Sequence, residues 1–77
     1  MQSVLTLETL LMIEPQLKDI VDTAVNMASL GNDKWFLYSS SKILAQQLVG
    51  WTARRGALRN TMAYDLFIDH LCDSLKL

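Results

Sequence analysis

Three arginines, Arg54, Arg55 and Arg59, stand close together in a 77-residue chain whose formal net charge is −1. Guanidinium groups so clustered can hold a phosphate, since each presents a planar fork of donors. A carboxylate stripe follows at Asp65, Asp69 and Asp73. At a spacing of four these share one helix face, and paired carboxylates can hold a hard cation or share a proton. His70 and Cys72 complete the reactive side chains of this half, with the run Ser39-Ser40-Ser41 upstream.

None of these assembles into a catalytic or metal constellation. His70 and Cys72 are two residues apart, which on a helix turns them about 200° away from one another, too far for a nucleophile and its base. The serine run sits inside a helical pattern with no glycine-flanked elbow, and no glycine-rich phosphate loop occurs. No Glu-x-x-His pair accompanies the aspartates, so solvation or an ion pair with Arg54, Arg55 or Arg59 is the expected state of that stripe. Cys72 is the only cysteine, which excludes an intrachain disulfide and leaves too few ligands for a structural zinc. The chain is expected to be no enzyme and to need no cofactor or metal.

The arginines divide by position. If the third helix ends near Arg55, Arg54 and Arg55 lie in its last turn beside the negative end of its dipole, and Gly56 takes the usual left-handed position after it. Arg59 then precedes the next helix, where a cation gains nothing from the dipole, and it needs an anionic partner. A helix-turn-helix reader would follow this turn with a helix rich in donors; the aspartates of the fourth helix would instead repel a phosphate backbone. A small nucleic-acid-binding regulator using Arg54, Arg55 and Arg59 is therefore the alternative reading, and contact with protein the leading one. Trp35, Phe36, Tyr38 and Trp51 cannot all face one way on a single helix, so at least one of them is expected to reach a partner or a surface groove; Trp35 and Trp51 join the arginines and aspartates as interaction candidates. Gly50, inside that helix, costs about 1 kcal/mol relative to alanine, an amount often offset by close approach of another backbone.

The elements that would carry these residues read as helices throughout. Leu17, Ile20, Val21, Ala24 and Ala28 line one face of a helix that Pro15 can start and Gly31-Asn32 stops. Ahead of it Val4, Leu7, Leu10, Leu11 and Ile13 make a short apolar helix, separate or joined through a kink, because proline disfavours the helical conformation of its predecessor. Asn32 or Asp33 can cap a third helix from about Lys34 to Arg55, with Leu37, Ser41, Leu44, Leu48 and Trp51 on one face and Tyr38, Ala45 and Val49 widening it. Asn60 is read as the cap of a fourth, carrying Tyr64, Phe67, Ile68, Leu71 and Leu75 inward. Leu44, Leu48, Phe67, Ile68 and Leu71 are the expected centre of the core. The expected fold is all-α: one domain over residues 1–77, a bundle of three to four helices in which a short N-terminal helix precedes three amphipathic ones.

At this size one hydrophobic core is only marginally stabilising. Yet 51% of the residues are hydrophobic and 19% charged, an apolar-rich and charge-poor balance for so small a domain. Some apolar surface is expected to meet a partner, most simply a second copy in a homodimer. The N-terminal apolar residues follow no Lys or Arg and are interrupted by Glu8, which is not the form of a secretory leader. No apolar run approaches the length of a membrane span. The expected setting is cytoplasmic, consistent with an unpaired cysteine.

Overall fold

The computed structural model describes residues 6–49 and 57–77. It is an all-α bundle of four helices, α1 Leu7–Ile13, α2 Pro15–Ser29, α3 Lys34–Val49 and α4 Ala57–Leu75, with no strand among the described residues. Thr6 caps α1, its Oγ1 accepting from the Thr9 N–H at 3.2 Å. Glu14 then leaves the helical region, at φ −125° and ψ 76°, as a residue before proline should. Pro15 opens α2 at its first turn, so the proline separates two helices rather than kinking one.

The turn between α2 and α3 follows directly from its residues. Gly31 takes φ 99°, a conformation open to glycine because it lacks a Cβ. Its N–H donates to the Ala28 carbonyl at 3.0 Å, and that of Asn32 to the Met27 carbonyl at 3.2 Å. This is the Schellman pattern that satisfies the last carbonyls of a helix. The Asn32 side chain reinforces it, donating to the same Met27 oxygen at 2.9 Å. Asp33 performs the opposite task, its Oδ1 accepting from the Trp35 N–H at 2.9 Å to cap α3. Two adjacent residues thus close one helix and start the next. Joined by so short a turn, α2 and α3 pack against each other.

Leu10 of α1 and Leu17, Ile20, Val21 and Ala24 of α2 are buried against Leu37, Ser41 and Ala45 of α3 and Ala63, Phe67, Leu71 and Leu75 of α4. The α2 face matches the expectation from its periodicity. In α3 and α4 the buried residues fall at a strict spacing of four, and this rotates both faces from those read in the sequence. Leu44 and Leu48, expected in the core, are about half exposed. Ser41, expected on that face, and Ala45, expected at its edge, are both buried, and the leucines one step round the helix are turned to its flank. Ile68 and Tyr64 are half-buried at the core edge, with Ala63 inward. The fourth helix also begins four residues earlier than expected, at Ala57 rather than after Asn60. The third is described as far as Val49, so its expected continuation through Gly50 and Trp51 to Arg55 lies outside the described residues.

Candidate functional site

The rotation of α3 leaves large apolar side chains exposed beside α2. A groove of about 420 Å³ runs between α2 and α3. Its floor is made of the buried Ile20, Ala24, Leu37 and Ser41, and its α2 wall of Gln16, Asp19, Thr23 and Met27. The α3 wall carries Phe36, Ser40, Leu44 and Leu48. Phe36 is 67% exposed, Leu44 48% and Leu48 53%, and Ile43 beside them is 55% exposed. At 100° per residue, the surface of α3 from Ile43 round through Phe36, Gln47, Ser40 and Leu44 to Leu48 spans about 140° of its circumference. No charged residue falls within that arc. Together with Met27 these side chains expose on the order of 500 Å² of apolar surface, taking about 200 Å² for a fully exposed large side chain. A continuous patch of this size is at the upper end of what monomeric proteins leave in water and is often functional.

The chemistry-bearing residues are placed elsewhere. Asp65, Asp69 and Asp73 are exposed and lie on the side of α4 opposite its Phe67–Leu71–Leu75 face, a solvated position in which none meets a cation among the described residues. Arg54, Arg55 and Trp51 lie outside the described residues. Arg59 falls in the first turn of α4 rather than before it, and its side chain lies outside the described part. His70 and Cys72 are half-buried and, as their spacing requires, on different sides of α4. His70 lines a second, more polar depression with Asp22, Asn26, Ser29 and Ser74.

Trp35 is 65% exposed at the start of α3, packed edge to face on Tyr38 with ring centroids 6.1 Å apart. Lys42 lies over the Tyr38 ring with its Nζ 5.0 Å from the centroid, a cation–π contact. This row of Trp35, Tyr38 and Lys42 runs along the flank of α3 away from the groove. Gln46, on the same flank, donates to the Tyr64 hydroxyl of α4 at 3.2 Å. On the outer face of α2, Lys18 Nζ meets Asp22 Oδ2 at 2.7 Å. That hydrogen bond first, and the carboxylate charge second, hold the ammonium above its ordinary pKa.

Among the described residues no three His, Cys, Asp or Glu side chains come together to hold a metal ion, and no helix is long and apolar enough to cross a membrane. The sequence pointed to the aromatics and the charges as contact residues, and missed the outer strip of α3. The signal that could have found it is Phe36 and Ile43 seven residues apart, with Leu44 and Leu48 beside them, in a helix that already had an inward face in Leu37, Ser41 and Ala45. Comparison with family models, curated proteins and solved structures returned no match, so the reading of this surface rests on its own geometry.

Proposed function

We propose that this chain is a small, non-enzymatic helical interaction module that works by burying the α2/α3 face against another protein, its first partner being a second copy of itself. The observation that carries this reading is the uncharged apolar strip of α3 beside an open groove. Its weight comes from comparison with the core: twelve large hydrophobic side chains are exposed among the described residues, against eight larger than alanine that are buried. A domain this small gains little from its own interior, and association supplies the missing burial, stabilising the folded chain by mass action. A cytoplasmic setting belongs to the proposal, since a lone half-buried thiol suits a reducing compartment.

Light scattering after size exclusion tests the self-association directly. At tens of micromolar chain the expected mass is twice the 8.7 kDa of one chain, falling toward one on dilution. A mass that stays at one chain across that range would remove self-association.

A further inference from the structure

We infer that the second copy seats on the groove with its own α3 antiparallel to the first, about a two-fold axis that crosses the groove side of α3 at the axial level of residue 42. This rests on the self-association proposed above and adds to it the face, the direction and the register.

Three features of the α3 strip select a copy of the same chain. The exposed arc from Ile43 to Leu48 carries no charge, so a two-fold contact, in which residue i of one copy meets residue j of the other and j meets i, apposes no like charges between the two α3 strips; the charged residue of the groove lining is Asp19, on the α2 wall. The apolar area of about 500 Å² per chain equals the apolar share of a standard interface, in which each partner buries roughly 800 Å², about three-fifths of it apolar. The strip is also complementary in size to itself when reversed. Phe36 and Leu48 lie at its ends and Ser40 and Leu44 inside, so a reversed copy sets Phe36 against Leu48 and Ser40 against Leu44. Each large side chain then meets a smaller or flexible one. A parallel pairing would put Phe36 on Phe36 and Ser40 on Ser40, crowding one level and leaving the next underfilled. Antiparallel pairing also sets opposite ends of the two helix dipoles side by side.

The test uses the full chain with Cys72→Ser, labelled with a nitroxide at Lys34→Cys in one sample and Ser39→Cys in another. The two positions lie equally far round α3 from the centre of the exposed arc. At 1.5 Å per residue, eight residues from the centre places the labels of position 34 about 24 Å apart along the axis, and three residues places those of position 39 about 9 Å apart. Pulsed dipolar spectroscopy should therefore read a separation at position 34 roughly 10 Å longer than at position 39. Leu44→Asp, which adds two carboxylates to the interface, should halve the mass with helical circular dichroism unchanged. Met62→Asp, exposed on α4, should leave the dimer intact. Equal separations at 34 and 39, or a Leu44→Asp protein that remains dimeric, would overturn this arrangement while leaving self-association standing. A parent chain that is monomeric by light scattering would overturn self-association itself, and the arrangement with it.

Discussion

Phe67→Ala and Leu44→Ala should separate sharply in stability, although both remove large apolar side chains from the amphipathic pattern. Phe67 is fully buried, on the α4 ridge with Ala63 and Leu71. Its truncation loses the transfer free energy of the ring and leaves a cavity that backbone relaxation fills only in part, at a cost of about 3 to 5 kcal/mol. For a chain of this length the whole stability is on the order of 4 to 12 kcal/mol, so the variant should sit near the edge of folding. Phe67→Leu keeps most of the volume and should cost about 1 to 1.5 kcal/mol, giving a measurable point if the alanine variant does not fold. Leu44 is 48% exposed; about half of its transfer term is at stake and no enclosed cavity results, so Leu44→Ala should cost the isolated chain about 1 kcal/mol or less. Urea unfolding followed by circular dichroism measures all three, with an unchanged m value as the check that compactness is preserved. The lowest workable chain concentration should be used, because association would add its own contribution. A Phe67→Ala loss below about 1 kcal/mol, or a Leu44→Ala loss equal to it, would show that the inward faces of α3 and α4 are assigned wrongly.

Three further outcomes follow from the turn and the surface. Gly31→Ala meets no atom within 4 Å, so its cost is backbone strain alone at φ 99° and should be about 1 to 2 kcal/mol by urea unfolding. Asp33→Ala removes the cap on α3 and should cost about 1 kcal/mol, with Asp33→Asn recovering most of it. Lys18→Met should leave the urea midpoint at neutral pH unchanged within error, because both partners of that ion pair are well exposed. The raised pKa of Lys18 sets the sign of what little it adds: the contribution is present below the ordinary lysine value and fades as pH rises through the raised one. A chemical denaturation series into the alkaline range would contradict this if the parent gained stability over the Lys18→Met variant there.

The parts of this fold legible in the sequence are those where one physical cause acts alone. Proline at a helix start, glycine at a left-handed turn and a side-chain oxygen before a helix each answer to local sterics or a local hydrogen bond, and Pro15, Gly31 and Asp33 stand where those rules place them. The α2 face was legible because Lys18, Asp19, Asp22, Thr23 and Asn26 fill the other side, leaving only one direction to bury. In α3 that condition fails. Trp35, Phe36, Leu37, Tyr38, Ile43, Leu44, Ala45 and Leu48 are distributed round most of its circumference, so periodicity cannot say which of them turn inward. The choice is made by packing, where the small Ser41 and Ala45 allow closer approach than Leu44 and Leu48 would. A helix apolar on nearly every side is ordinarily buried on nearly every side, and among the described residues α3 is covered only by α2 on one flank and α4 on another. The ambiguity of its inward face and the exposure of Phe36, Ile43, Leu44 and Leu48 therefore have one origin. α3 carries more apolar surface than the described fold of a single chain covers, and that excess is what self-association would bury.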